Sequence, residues 1–193
     1  MAVLKPLGVS RGLFLSVAMA ACFFMNAVPR ADAQPSSAPE YEVKAAFIFN
    51  FAKFVEWPQG SFPDDHTPIG LCVTNGNPFA GALESIRGKT VKGREIVIRQ
   101  CKEIEDMASC HILYVGSSEK RRLAQLLPLI KDRRILTVGD EKGFAQMGGI
   151  INFIIVDNKV SFEINVDAAK RAGLEISSKL LRLAEIVRGG TED

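Results

Sequence analysis

Apolar side chains early in the chain recur at intervals of three and four residues. They stand at Val43, Phe47, Phe51, Phe54 and Val55. This spacing predicts a helix over residues 40–57, which Pro58 would end because proline cannot continue a helix. On a helical wheel the polar residues form a stripe of about 120°, and Lys44 is the exception in the remaining apolar two-thirds. The helix therefore has more apolar surface than one contact with a sheet would bury.

Farther along, short apolar runs alternate with segments of helical spacing. The runs predict strands at 69–74, 95–100, 110–115 and 134–138, and a hairpin with strands 150–156 and 160–165. Helices are predicted at 77–87 after an Asn77 cap, at 119–131 after a Ser117 or Ser118 cap, and at 167–172 and 176–187. This alternation predicts an α/β fold, with a mostly parallel central sheet flanked by helices and a C-terminal antiparallel hairpin as its edge.

The first 33 residues have the three parts of a secretory signal peptide. Lys5 and Arg11 precede an uncharged apolar stretch at 12–29, and a small-residue exit ends at Ala33. A retained membrane anchor and a lipoprotein acylated at Cys22 are the two alternatives. The pattern favours cleavage after Ala33 and export of the remaining chain.

Four segments follow from this reading: the leader at 1–33, a disordered start at 34–39, one α/β domain at 40–188, and a tail at 189–193. The whole chain has 24 Lys and Arg residues against 22 Asp and Glu residues. Without the leader, 21 of each remain. A balanced domain gives no electrostatic reason to expect nucleic-acid binding.

The chain lacks the usual enzyme signatures, including a complete P-loop, a GxSxG elbow and an HExxH pair. His111 follows Cys110 directly, and successive strand residues point to opposite faces, so the two are not expected to act as a nucleophile–base pair or as metal ligands. No catalytic residue, metal or cofactor is predicted. A hydrolase is the least supported function class.

Two loops after predicted strands could bind a small anion. Ser117 and Ser118 open a helix after one buried strand, and Gly139 and Asp140 follow the next. Ligands of open α/β sheets bind at such strand ends, although ordinary capping and turn chemistry explains the same residues. A periplasmic module for a small anionic or aromatic ligand is therefore the alternative function.

Three cysteines remain after the leader: Cys72, Cys101 and Cys110. An oxidising compartment favours one disulfide and one remaining thiol. Cys72 and Cys110 lie in two strands that are both predicted to be central, and adjacent strands are close enough for a disulfide. Strand placement gives this pair a modest advantage, while the Cys101–Cys110 and Cys72–Cys101 pairings stay open.

Several segments, taken in order, resemble the YfiR family. The longest is residues 41–58, YEVKAAFIFNFAKFVEWP. Shorter ones are GR at 93–94, CHIL at 110–113, SE at 118–119, LTVGD at 136–140, GFA at 143–145, GGIINF at 148–153, FEIN at 162–165, AA at 168–169, AGL at 172–174 and ISSKLL at 176–181. The resemblance covers about residues 40–188.

The resemblance implies a periplasmic α/β regulator without known catalysis. Such a protein represses a membrane-anchored diguanylate cyclase by binding its periplasmic region, lowers cyclic-di-GMP output and biofilm formation, and is sequestered by an outer-membrane lipoprotein. Relatives also occur with other sensors, such as a sensor kinase. The resemblance implies a disulfide between Cys72 and Cys110, the pair best shared in the family. Cys101 is then a free or intermolecular thiol. The family's second cysteine pair has no counterpart in this chain.

The resemblance also suggests a use for the apolar excess of the first helix. The face around Phe47, Phe51 and Phe54 is expected to pack on the sheet. Phe49 stands in the polar stripe, and with Lys53 and Trp57 it is a candidate surface for a partner or a homodimer. The alternative is that the chain's own loops cover Phe49.

Overall fold

The computed structural model describes residues 37–74, 76–103 and 105–188. The predicted leader, Asn75 of a predicted turn, and the tail at 189–193 lie outside the described residues. None of the helices in the described part of the chain combines the length and the apolar composition of a membrane-spanning segment.

The first helix, α1, spans Ser37–Phe54. It begins inside the segment predicted to be disordered, and Pro39 is compatible with this start because the first turn of a helix needs no backbone N–H. It ends three residues earlier than predicted, because strand β1 (Val55–Glu56) pairs antiparallel with β9 (Glu175–Ile176). Pro58 therefore follows a short strand and does not itself end the helix.

An eight-stranded sheet forms the centre of the domain. Its strands in chain order are β2 (Ile69–Val73), β3 (Thr90–Val91), β4 (Arg94–Gln100), β5 (Ile112–Val115), β6 (Leu136–Gly139), β7 (Ile151–Val156), β8 (Lys159–Asn165) and β10 (Glu185–Val187). Their spatial order is β10-β8-β7-β6-β5-β2-β4-β3. Only the β7–β8 and β3–β4 pairs in this sheet are antiparallel. The predicted mostly parallel α/β fold is confirmed.

The predicted hairpin is β7 and β8, joined by Asp157 and Asn158. Both residues have positive φ, 48° and 60°, which is the backbone of the two-residue turn that matches the twist of antiparallel strands. The hairpin is not the edge of the sheet, however, because β10 pairs in parallel with the outer side of β8.

Alternate residues of the central strands supply two separate cores. Ile112 and Tyr114 of β5 face the larger core, which includes α1, while Leu113 and Val115 face the smaller one. The smaller core is covered by helix α2 (Leu123–Ile130). This alternation follows from the two-residue repeat of a strand and gives the sheet two buried faces.

The prediction of a helix at 77–87 is wrong, since the structure has turns there. The Asn77 side chain accepts from the Phe79 N–H at 3.0 Å, which makes a tight turn and no helix cap. Ala80 then adopts a φ of 47°, and only a 3₁₀ turn at Ala82–Ser85 follows. The turn buries the Phe79 ring against Tyr114, with centroids 4.6 Å apart.

Two further helix predictions need correction. Of the predicted 119–131 helix, only α2 is α-helical, and a 3₁₀ turn at Ser117–Glu119 precedes it. The predicted serine cap is also absent: the residue before α2 is Arg122, whose side chain makes no capping bond. In the last predicted helix, at 176–187, only α4 (Ser178–Leu181) is α-helical. Pairing with β1 and β8 converts the two ends of that segment into strands. Helix α3 (Val166–Arg171) is confirmed, with Asn165 as its cap.

Candidate functional site

A disulfide joins Cys72 in β2 to Cys110 just before β5. The Cα atoms are 5.7 Å apart, because β2 and β5 are neighbours and the His111 N–H donates to the Gly70 carbonyl at 2.8 Å. Both sulfurs lie in the smaller core. The structure thus contains the favoured pairing, and it fastens two central strands together.

Cys101 is a free thiol within the same cluster. Its Sγ lies 3.5 Å from the Cys110 Sγ, and all three sulfurs lie within 4.8 Å of one another. Its residue is only 2% exposed, so an intermolecular bond would need the site to open. Burial, reinforced by the charge of Asp106, raises the pKa of the thiol and keeps it protonated.

Asp140, directly after β6, is the centre of a buried polar cluster. Its Oδ2 accepts from the Tyr114 hydroxyl at 2.6 Å, the Lys44 ammonium at 3.0 Å and the Tyr41 hydroxyl at 3.1 Å. The side chains of Lys44 and Asp140 are 5% and 6% exposed. Glu40 lies one helical turn before Lys44 and pairs with it at 2.7 Å. The cluster connects α1 to the ends of two central strands.

The protonation states in this cluster follow from its geometry. Burial lowers the pKa of Lys44, but hydrogen bonds to Glu40 and Asp140 outweigh that effect and leave the pKa above its usual value. Burial, together with the Asp140 charge, raises the pKa of Tyr114 strongly. The lysine is therefore charged and the tyrosine neutral, so the cluster is an ion pair supported by hydroxyl donors.

The predicted anion crevice is partly filled by the chain itself. A Cβ on Gly139 would meet the Phe144 ring at 2.7 Å, and Phe144 is fully buried. A Cβ on Gly76 would lie 2.8 Å from the Ser118 hydroxyl, so the turn after β2 packs against that serine. Ser117 and Ser118 are exposed, whereas Asp140 accepts from the Lys44 ammonium and two tyrosine hydroxyls.

His111 is held by both ring nitrogens. The Gly70 N–H donates to Nδ1 at 3.1 Å, and this bond assigns the proton to Nε2, which donates to the Ser61 carbonyl at 3.1 Å. The ring stacks on Phe62, with centroids 4.2 Å apart. Burial lowers the pKa of His111. Cys110 faces the opposite core and is already bonded, so the two residues do not form a nucleophile–base pair.

Only part of the predicted surface lies on α1: Phe49 and Lys53 are in the helix, whereas Trp57 follows β1. Phe49 and Trp57 are half-buried, and Lys53 is exposed. Phe49 packs against the larger core, and the ammonium groups of Lys53 and Lys89 lie 4.2 and 5.4 Å from its ring centroid. Trp57 packs edge-to-face on Phe62 at 6.1 Å, and its buried indole Nε1 has no acceptor among the described residues. Fully buried residues of α1 are Ala45, Ile48, Phe51 and Ala52.

Sequence reasoning missed the Asp140 partners. One signal was available, since Lys44 is the exception in an otherwise apolar part of the helical wheel. A buried lysine needs a partner, but nothing local shows that the partner is Asp140, 96 residues away. The tyrosines gave no such signal.

A comparison with known protein families shows which family the chain belongs to. The YfiR/HmsC-like domain matches residues 41–185, about three quarters of the sequence. The matched region includes both cysteines of the disulfide, the α1 surface, and every residue of the Asp140 cluster except Glu40. The chain therefore belongs to the YfiR/HmsC-like family.

Proposed function

We propose that this YfiR/HmsC-like protein is an exported, non-catalytic regulator that binds the periplasmic domain of an inner-membrane signalling protein. The match over residues 41–185 is the observation that carries the proposal. The target is a membrane-bound diguanylate cyclase, which the regulator represses, so that cyclic-di-GMP output and biofilm formation fall. A sensor kinase with a periplasmic domain is the alternative target.

The α1 surface, which is Phe49 and Lys53 of the helix together with Trp57 just after β1, is the proposed contact site. Two ammonium groups flank the half-exposed Phe49 ring, and neither Lys53 nor Lys89 has an ion-pair partner among the described residues. Aromatic side chains are enriched in the cores of interfaces, and the two ammonium groups give the rim of this surface a positive charge. The matching surface of the partner should therefore carry carboxylates beside an apolar pocket.

The disulfide is proposed to be structural. Cys72–Cys110 lies in the smaller core and holds β2 against β5, and no cysteine follows Cys110 to form a second pair. Regulation by redox state would then act on folding of the whole domain and would not depend on a local switch.

The test uses the exported protein and the periplasmic domain of the cyclase or kinase encoded beside it. Binding is measured by calorimetry under oxidising conditions for the wild type, Phe49→Glu and a matched control, Leu129→Glu. Leu129 is 53% exposed on α2, on the other face of the sheet. We expect Phe49→Glu to weaken binding at least about tenfold and Leu129→Glu to leave it unchanged.

Different outcomes would contradict the regulatory function and the assignment of the contact site. If the wild type binds none of these domains and deleting its gene leaves cyclic-di-GMP unaltered, the regulatory function is wrong. If the wild type and a folded Phe49→Glu variant bind equally, only the surface assignment is wrong. Light scattering of the same variant shows whether a homodimer uses this surface, and the corresponding outer-membrane lipoprotein is tested as a competitor.

A further inference from the structure

A pocket of about 560 Å³ lies beyond the end of β6. Strand β6 pairs with β7 only through Val138–Ile151 and Gly139–Asn152, so the rest of β7 continues past it. The later β7 residues form one wall, the loop after β6 forms another, and the start of α1 forms a third. The volume is in the range of small-molecule sites.

Two buried oxygens at this pocket have no hydrogen-bond donor among the residues that the structure describes. They are Asp140 Oδ1 and Asn152 Oδ1, and both residues line the pocket. The Asp140 side chain is 6% exposed and Asn152 is 1% exposed. Buried polar atoms in folded proteins nearly always have a partner, so an unpaired buried oxygen requires an explanation. Here two such residues line one pocket.

The unpaired atoms are acceptors. Asn152 Nδ2 donates to Glu163 Oε2 at 3.1 Å, and a rotated amide would place its oxygen against that carboxylate. All three donors that reach Asp140 converge on Oδ2, so Oδ1 keeps its full accepting capacity. The missing partner must therefore be a hydrogen-bond donor.

The charges around the pocket favour a cation. Three carboxylates line it, Glu40, Asp140 and Glu163, against two ammonium groups, Lys44 and Lys142. Lys44 is already paired with Glu40 and Asp140. An anion would meet a net negative lining, whereas an ammonium group offers three donors and the opposite charge.

We propose that this pocket binds a small primary amine whose N–H donors are accepted by Asp140 Oδ1 and Asn152 Oδ1. This inference goes beyond regulation of a signalling protein and does not depend on which partner the α1 surface contacts. It also differs in ligand charge from the anion crevice expected at Ser117, Ser118, Gly139 and Asp140, of which only Asp140 lines this pocket.

The first experiment titrates the folded wild-type protein with putrescine and, separately, with butane-1,4-diol, its neutral counterpart of similar length. We expect putrescine to shift the Asn152 side-chain amide resonances, with binding at least about tenfold tighter than that of the diol. A trapped water molecule would satisfy both oxygens without distinguishing the two compounds. Equal responses, or no shift at Asn152, would overturn the proposal.

A second experiment uses calorimetry with putrescine on two variants. Asn152→Leu removes one accepting oxygen at similar volume and should weaken binding at least about tenfold. Asp132→Asn removes an exposed carboxylate elsewhere on the domain and should leave binding unchanged. Unaltered affinity in a folded Asn152→Leu variant contradicts the proposal. Should that variant fail to fold, the wild-type titration decides alone.

Discussion

The two faces of the sheet are stabilised in different ways. Within the described residues, the larger core with α1 contains 27 buried apolar residues, whereas the smaller core under α2 contains 12. Helix α1 has 18 residues and α2 has eight, with Pro128 inside it. The smaller core contains the disulfide and all three cysteines of the domain. The face with less apolar cover is therefore the one that carries the covalent cross-link.

On the larger face, a buried ion pair also connects the helix to the sheet. The Asp140–Lys44 ion pair lies where α1 crosses the ends of β5 and β6. An ion pair gains from low dielectric only if its remaining hydrogen-bonding capacity is used, and the two tyrosine hydroxyls use part of it. One face of the sheet is thus cross-linked by a covalent bond, and the other is held by a buried ion pair.

The largest expected effect is the loss of the disulfide. Replacing Cys72 and Cys110 together by alanine removes the constraint on a loop with a sequence separation of 38. The loop-entropy relation gives a loss of about 4 kcal/mol in the free energy of unfolding, measured by urea denaturation. Cys101→Ala, in the same core, is the control and should cost about 1 kcal/mol. A double variant as stable as this control would show that the bond contributes little to the smaller face.

Asp140→Ala tests the buried ion pair on the larger face. It leaves the Lys44 ammonium buried with Glu40 as its remaining partner, and removal of one member of a buried pair costs about 3 kcal/mol. Urea denaturation measures the change, and Asp132→Ala, at an exposed position, should remain within about 0.5 kcal/mol of the wild type. Equal stability of the two variants would mean that the larger face depends on apolar packing alone.

Acid should destabilise the fold through His111. Its pKa is lowered in the folded protein, so the neutral ring contributes stability that is present above the unfolded-state pKa of about 6.5. That contribution is lost as pH falls from there through the folded-state value. Between pH 7.5 and 5.5, the wild type should lose more free energy of unfolding than His111→Gln. Parallel pH profiles, or an NMR titration of His111 with a pKa at or above 6.5, would contradict this.

The reactivity of Cys101 tests the smaller core without changing the stability of the fold. Burial and a raised pKa should make its alkylation by iodoacetamide at pH 7.5 at least about 100-fold slower in the native protein than in urea. Mass spectrometry of the modified peptide measures the rate. Rapid native labelling would show that the smaller core opens readily around the cysteine cluster.

Much of the sheet was predictable because its strands carry local patterns. The continuous apolar runs at β2 and β5 indicate strands buried on both faces, and the Asp157–Asn158 turn fixes the hairpin register. The Cys72–Cys110 bond was favoured because two central strands can be neighbours. The predicted anion crevice corresponds only in part to a pocket in the structure. Asp140 lines the proposed amine pocket, whereas the loop residue Phe144 packs against Gly139.

Segments with helical spacing failed where long-range pairing or burial outweighed local preference. The end of the chain became β10 because it pairs with the outer side of β8, and neither strand could be assigned to the other from its own residues. Residues 77–87 turn early because Phe79 is buried against Tyr114. Both outcomes depend on partners far away in the sequence.

The sequence by itself determined the α/β class, the family and the cysteines available for bonding, because periodicity, motifs and residue identity are local properties. It also marked Lys44 as the exception in the apolar part of its helix. Only the tertiary structure decided that Lys44 meets Asp140 and two tyrosines, and that Asp140 and Asn152 keep unpaired oxygens beside one pocket. The reason is that pairing and burial of polar atoms depend on which elements pack together, and that contact exists only in the folded chain.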